Sequence, residues 1–97
     1  MLFFMYCVDK PDHEQVRNAN RPAHLEYLKR HDANLVVVGP ALAENAQKMI
    51  GSVFILDFPD RAAVDEFTRN DPYVKAGLFE TTIIRPWRPV VFKMPPE

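Results

Sequence analysis

The octapeptide RPAHLEYL, residues 21–28, is predicted to open the first helix of the fold. Asn20 precedes it as a suitable N-cap, and the proline near the first helical position loses no hydrogen bond and already has a helical φ. Leu25 and Leu28 are one turn apart and are expected to face the core. His24 lies beside that apolar face, so we expect its ring to be half buried at the helix entrance, inside a pocket built by the rest of the chain.

The sequence around this helix alternates apolar runs of strand length with one further amphipathic helix. β-branched and aromatic residues fill these runs, and Gly, Pro, Asn or Asp residues bound them. The order β-α-β-β-α-β is that of the ferredoxin-like unit, an α+β fold. The predicted strands span 2–8, 35–38, 53–58 and 78–84, the helices about 20–31 and 61–69, a helical or irregular connection 41–50, and a loose tail 94–97.

The composition indicates one domain, residues 1–97, and excludes several classes of partner. The net charge is −1 and the charges are interspersed, which argues against a nucleic-acid binder. There is no basic amphipathic helix, no apolar run near the ~18 residues of a membrane span, and no basic start of a signal peptide. The single cysteine, Cys7, excludes an intramolecular disulfide, and its thiol is expected to be buried. We therefore expect a soluble cytoplasmic protein.

Both faces of the predicted sheet require cover. A sheet with one solvated face alternates apolar and polar residues, whereas residues 2–8, 35–38 and 53–56 are apolar almost throughout. Two helices cover only one face, and monomers rarely expose an apolar patch above ~300–600 Å². The pattern predicts a homodimer that packs sheet against sheet with twofold symmetry. The alternative is that residues 41–50 and 89–97 fold over the sheet.

His24 is the first candidate for chemistry, because imidazole titrates near neutral pH and can take or give a proton. Taken alone, a histidine here is more often a hydrogen-bonded structural residue. The second candidate is Asp71 in the sequence NDPY, residues 70–73, although an aspartate before proline commonly forms an Asx turn. If Asp71 reaches a ring nitrogen of His24, it fixes the tautomer and the two residues form an acid–base dyad. The sequence allows this contact without requiring it.

Three further residues are candidates for substrate binding. Arg21 can bind an anionic oxygen through a forked contact, or pair with a local carboxylate. Ser52 and Tyr73 offer hydroxyls, although a structural role is commoner for each. A metal site is not expected, because His24 and His31 have no acidic or cysteine partner at ligand spacing. No phosphate loop, nucleophile signature or cofactor fingerprint is present, so any chemistry is expected to be cofactor-free proton transfer.

Five short motifs follow one another along the chain: RPxHxxYL at 21–28, GP at 39–40, GS at 51–52, NDPY at 70–73 and AG at 76–77. In their joint order and spacing, they resemble the YciI (YCII-related) family over residues 1–92. The resemblance implies a dimeric α+β barrel of ferredoxin-like halves, with an acid–base site at His24 and Asp71.

Within this family, the chain is most similar to members that eliminate HCl from 5-chloro-2-hydroxyhydroquinone (chlorohydroxyquinol) in chlorinated aromatic degradation. The implied product is hydroxybenzoquinone, formed by acid–base catalysis at His24 and Asp71. Arg21, Ser52 and Tyr73 are then the expected contacts to the small aromatic substrate. Two other functions stay open: a different proton-transfer enzyme of the lactone isomerase type, and a non-catalytic dimeric small-molecule-binding protein.

Overall fold

Four antiparallel strands form one sheet, with helices packed on one of its faces, in the computed structural model of the chain, which describes residues 1–95. The strands lie in the order β2-β3-β1-β4. This is the ferredoxin-like α+β fold, and the predicted fold class is confirmed. The elements are β1 (Leu2–Asp9), α1 (Glu14–Arg30), β2 (Leu35–Leu42), β3 (Met49–Asp57), α2 (Arg61–Asn70), α3 (Pro72–Lys75) and β4 (Phe79–Pro86), with a 3₁₀ turn at Asp32–Asn34.

The core lies between the sheet and the helices. In the central strand β1, alternate residues point toward the helices, and these are Phe3, Met5 and Cys7. Cys7 is fully buried, which confirms the predicted buried thiol. This burial raises the pKa of the thiol to about 12. The other buried apolar residues of this core are Tyr27, Phe54, Leu56, Phe58, Val64, Phe67 and Ile84.

The first helix begins at Glu14, six residues before its predicted start. Asn20 is therefore not an N-cap, and its side-chain amide donates to the Val16 carbonyl at 2.9 Å inside the helix. Pro22 stands inside the helix rather than at its first turn. The early turns carry few apolar residues, so their hydrophobic periodicity gives no helix signal.

The buried face of α1 also differs from the prediction. Leu25 is 44% exposed and does not face the core, whereas His24 is only 5% exposed, more buried than expected. The buried residues of the helix are Arg17, His24 and Tyr27. The Tyr27 hydroxyl donates to the Phe67 carbonyl at 2.7 Å and ties α1 to α2.

The hairpin of β2 and β3 is longer than predicted. β2 continues through Gly39 and Pro40 to Leu42, and β3 already begins at Met49. Pro40 fits because β2 is an edge strand, where the missing N–H breaks no ladder. The connection predicted at 41–50 therefore belongs mostly to the sheet and is not helical.

One glycine of the hairpin is required by close packing. A Cβ on Gly51 would lie 2.5 Å from the Cys7 carbonyl oxygen of the neighbouring strand. No side chain fits there without moving the two strands apart. The next residue, Ser52, points to the opposite face, which the helices cover.

The second half of the chain follows the prediction more closely. The side chain of Asp60 caps α2 by accepting from the Ala63 backbone N–H at 2.9 Å. Gly77 ends α3 with a φ of +72°, which a glycine adopts without strain. The predicted tail at 94–97 falls partly outside the described residues, because 96 and 97 are not among them. In residues 1–95, no helix has the length and apolar character needed to cross a membrane.

The sheet face opposite the helices is apolar and open. Strand register places Phe4 beside Ile55 and Tyr6 beside Val53 on this face, and all four are half buried. The alternative that residues 41–50 and 89–97 cover it is wrong for the part of these segments within residues 1–95. Residues 43–48 form the turn of the hairpin, and the tail side chains Val90, Phe92 and Met94 are at least 69% exposed.

Candidate active site

A buried contact joins His24 to Asp71. Nδ1 of His24 lies 2.8 Å from Oδ1 of Asp71, and the two side chains are 6% and 2% exposed. The same carboxylate oxygen accepts from the Tyr73 backbone N–H at 2.9 Å and so caps α3. The Asx turn and the histidine contact, which the sequence presents as alternatives, are both present.

This contact sets the tautomer of the imidazole. An ionised carboxylate only accepts hydrogen bonds, so Nδ1–H of His24 donates to Asp71 and Nε2 carries the lone pair. Nε2 of His24 makes no hydrogen bond within residues 1–95. Every buried side-chain N or O atom of these residues has a hydrogen-bond partner, so an atom without one is not buried. Nε2 is therefore accessible from the adjoining cavity.

The cavity beside His24 has a volume of about 160 Å³. A cavity of about 150 Å³ holds one benzene ring, so this space fits one six-membered ring. Ser52 and Tyr73 lie on its wall, and Arg21 is exposed at its margin. The structure thus brings His24, Ser52, Tyr73 and Arg21 together around one space. Asp71 does not line it and contacts it only through His24. Its apolar wall consists of Leu25, Leu28, Val38 and Met49.

The residue that the sequence prediction missed is Arg17, which is 2% exposed and also lines the cavity. Its Nε and Nη2 donate to the two carboxylate oxygens of Asp9 at 2.7 and 2.8 Å, and Nη2 also donates to the Ser52 hydroxyl at 2.9 Å. Burial lowers the pKa of Arg17, but hydrogen bonding to Asp9 outweighs it and the pKa is raised. The signal available in the sequence was the seven-residue spacing to His24, which places both on one helix face.

The Tyr73 ring packs against two of the α1 residues that line the cavity, His24 and Arg17. It stacks on the His24 imidazole with 3.9 Å between ring centroids and 15° between planes. The Arg17 guanidinium carbon lies 4.8 Å from the centroid of the same ring. Burial raises the pKa of the Tyr73 hydroxyl even though Arg17 and Arg21 act to lower it. Tyr73 is therefore a neutral hydrogen-bond donor at neutral pH.

A larger surface groove of about 640 Å³ lies between the β1–α1 connection and the hairpin. It includes Lys10, His13 and Lys48 but neither residue of the His24–Asp71 pair. Nδ1 of His13 contacts the Pro11 carbonyl at 2.9 Å in an exposed setting. The residues that line the groove include no buried titratable pair, so the smaller cavity is the candidate site.

Comparison with known proteins identifies the family of the chain. The chain matches the YCII-related domain over residues 1–88. It belongs to the YCII-related family. Protein YciI of Escherichia coli O6:H1 (strain CFT073) is 35% identical over 97 residues, covering 93% of this chain and 99% of that protein. An uncharacterized protein of Haemophilus influenzae is 32% identical, covering the same shares of the two chains.

Solved structures extend the comparison of this YCII-related protein. One is the 5-chloro-2-hydroxyhydroquinone dehydrochlorinase TftG of Burkholderia phenoliruptrix AC1100, in complex with 2,5-dihydroxybenzoquinone. It is 39% identical with a TM-score of 0.83, covering 91% of this chain and 94% of that one. An antibiotic biosynthesis monooxygenase shares the fold alone, at 17% identity and a TM-score of 0.52, covering 92% of this chain and 100% of that one.

Proposed function

We propose that this protein is a cofactor-independent dehydrochlorinase that converts 5-chloro-2-hydroxyhydroquinone into hydroxybenzoquinone and HCl. The observation that carries the proposal is the buried His24–Asp71 contact, which leaves Nε2 facing a cavity of the size of one aromatic ring. The similarity to TftG supports the substrate class, because that enzyme is named for this reaction and holds a dihydroxybenzoquinone in its structure.

The reaction balances without an oxidant. The substrate loses one hydroxyl proton to solvent and one chloride, and the chloride takes the electrons of the C–Cl bond with it. A second hydroxyl proton moves within the molecule, from oxygen to the chlorine-bearing carbon. What the protein must supply is therefore a group that takes a proton and returns it at a nearby atom.

His24 has the geometry for this proton transfer. Nε2 takes the proton of the hydroxyl next to the C–Cl bond, and electron density moves into the ring. The imidazolium then protonates the chlorine-bearing carbon, which gives the ketone tautomer. Chloride leaves as the oxygen para to that ketone becomes the second carbonyl. Asp71 accepts from Nδ1–H throughout, holds the ring in place and stabilises its charged form.

Release of chloride tests the proposed activity directly. We expect purified protein, with no added cofactor, to release one chloride for each chlorohydroxyquinol consumed, in step with the absorbance of hydroxybenzoquinone. Protein that binds 2,5-dihydroxybenzoquinone without releasing chloride contradicts the proposal and favours the small-molecule-binding function. Turnover of a lactone without chloride release favours the isomerase alternative.

We also propose that a second copy of the chain covers the open sheet face, giving a homodimeric α+β barrel. The support is the apolar row of Phe4, Tyr6, Val53 and Ile55 on a face that no segment of residues 1–95 covers. Burying this area on both copies is favourable at roughly 25 cal/mol per Å².

Sedimentation equilibrium tests the dimer. We expect the wild type to sediment at twice the chain mass, and Val53→Lys to shift it to the monomer, because a lysine at the interface would bury an unpaired charge. Ala62→Lys, which introduces the same charge on the exposed side of α2, is the control and should leave the dimer intact. A monomeric wild type contradicts the proposal.

A further inference from the structure

Met49, at the start of β3, separates the cavity beside His24 from the larger surface groove. Among the described residues, it is the one that lines both the cavity of about 160 Å³ and the groove of about 640 Å³. Its side chain is half buried. The proposed proton transfer gives Met49 no role, so its position between the two spaces requires a different explanation.

A β-bulge turns the side chain of Met49 toward the cavity. Between Gly51 and Met49, the pairing of β3 with β2 skips Ile50, which is therefore an extra residue of β3. Successive residues of a strand point to opposite faces, so without the bulge Met49 would point to the open face of the sheet, away from Ser52. The extra residue reverses this alternation and places Met49 on the same face as Ser52, beside the cavity.

Met49 differs from the other apolar residues of the cavity wall in what lies behind it. Leu28 and Val38 pack against the hydrophobic core, and Leu25 is 44% exposed. Behind Met49 lies the groove rather than the core. A methionine side chain is unbranched and flexible, and its polarisable sulfur packs well against irregular apolar groups. The side chain of Met49 alone therefore fixes how far the cavity extends toward the groove.

The proposed substrate has one apolar substituent, its chlorine, on a ring whose other substituents are hydroxyls. Hydroxyls lose hydrogen bonds against an apolar wall, whereas chlorine loses none, so the chlorine is favoured on the apolar side of the cavity. We propose that Met49 contacts this chlorine and, by closing the cavity toward the groove, limits the ring substituent to about the size of one chlorine atom. This inference rests on the proposed function and adds a specificity-determining residue to it.

Binding of three hydroquinones that carry no chlorine tests this assignment by calorimetry in the absence of oxygen. The probes are hydroquinone, methylhydroquinone, whose methyl group is close to chlorine in size, and tert-butylhydroquinone. We expect the wild type to bind methylhydroquinone about fourfold more tightly than hydroquinone, which is the usual effect of burying one methyl-sized group. It should bind tert-butylhydroquinone at least about tenfold more weakly than hydroquinone, because the closed wall leaves no space for the larger group.

Three variants identify the residue responsible. Met49→Ala opens the wall, so the preference for methylhydroquinone should fall below about twofold and tert-butylhydroquinone should bind at least as tightly as hydroquinone. Met49→Leu nearly conserves the side-chain volume and should keep the wild-type order. Ile50→Ala removes the adjacent apolar side chain, which lines the groove but not the cavity, and as the matched control should change no ratio of Kd values.

The outcomes separate this inference from the proposed function, which chloride release by the wild type tests. Unchanged ratios in Met49→Ala, or equal weakening of all three probes, overturn the role of Met49 even if the wild type releases chloride. Shifted ratios in a protein that releases no chloride keep Met49 as the size limit and overturn the dehydrochlorinase proposal. If Met49→Ala does not fold, the same ratios in Met49→Val decide, since valine is shorter than methionine and suits a strand.

Discussion

α1 and α2 pack on the same face of the sheet but bury different kinds of side chain. α2 turns Val64 and Phe67 inward, and both join the apolar core. The buried residues of α1 are Arg17, His24 and Tyr27. Burying such groups costs free energy unless each finds a partner, and partners come from other elements of the fold. The contrast predicts that stability depends mainly on the contacts of α2, and that the proposed activity depends on those of α1.

Removal of the His24 imidazole is expected to have the largest effect on the proposed activity and tests the contrast between the two helices most directly. His24→Gln keeps a polar side chain of similar reach but cannot shuttle a proton. We expect kcat for chloride release to fall about 10²–10⁴-fold, the usual contribution of a positioned acid–base group. Thermal unfolding should change little by comparison. Unchanged chloride release would remove His24 from the mechanism and make α1 a structural helix like α2.

A substitution on α2 is expected to have the opposite effect, a loss of stability without a loss of activity. Phe67→Ala removes a ring that packs against Tyr27, Phe54 and Phe58, and we expect a loss of about 3–5 kcal/mol in the free energy of unfolding. Per folded molecule, kcat should stay within about threefold of the wild type, because the ring is not part of the cavity. Urea unfolding and activity at low temperature measure the two quantities. A large fall in kcat per folded molecule would contradict the separation.

A smaller effect is expected at the partner of the histidine. Asp71→Asn keeps an oxygen that can cap α3 through the Tyr73 N–H but removes the charge beside the imidazole. We expect kcat to fall about 10–100-fold, as for other groups that orient a reactive side chain. The melting temperature should fall only slightly. A loss of stability without a loss of kcat would identify Asp71 as a cap alone.

The smallest effect concerns the hydroxyl that joins the two helices. Tyr27→Phe removes the bond to the Phe67 carbonyl and should cost about 0.5–1.5 kcal/mol of unfolding free energy at pH 7, with kcat unchanged. Burial raises the pKa of Tyr27 from 10.0 to about 12, so the folded state keeps a proton that the unfolded state loses. Wild-type stability should therefore fall between these two pKa values as pH rises, and this fall should be smaller in Tyr27→Phe. Identical alkaline unfolding curves would contradict this account.

The same contrast explains what the sequence could and could not predict. Apolar spacing and the Asp60 cap identify α2 closely, since its buried face follows the rule that apolar residues recur at helical spacing on the buried side. The first three turns of α1 bury polar rather than apolar groups, so that rule places its start at Asn20 instead of Glu14. Arg17 was missed for the same reason. Its partner Asp9 lies on another element, β1, and hydrophobic periodicity gives no sign of a buried ion pair between a strand and a helix.

The site was more predictable than the helix that carries it. His24 and Asp71 were identified from residue type and local context, and the structure places them 2.8 Å apart. Which atom of the ring faces the cavity could not be known, because it depends on the side to which the carboxylate binds. The extent of the β2–β3 hairpin was missed because Gly39 and Pro40 normally end a strand, and only the edge position makes them compatible with one.

One oxygen of Asp71 serves the imidazole and a four-residue helix at once. Such a short helix has almost no stability of its own, so we expect fraying of α3 to release the imidazole as well. Inactivation by heat should consequently precede the loss of ellipticity, with activity disappearing while the sheet is still intact. The working temperature of the protein is then set by its smallest helix and not by its core.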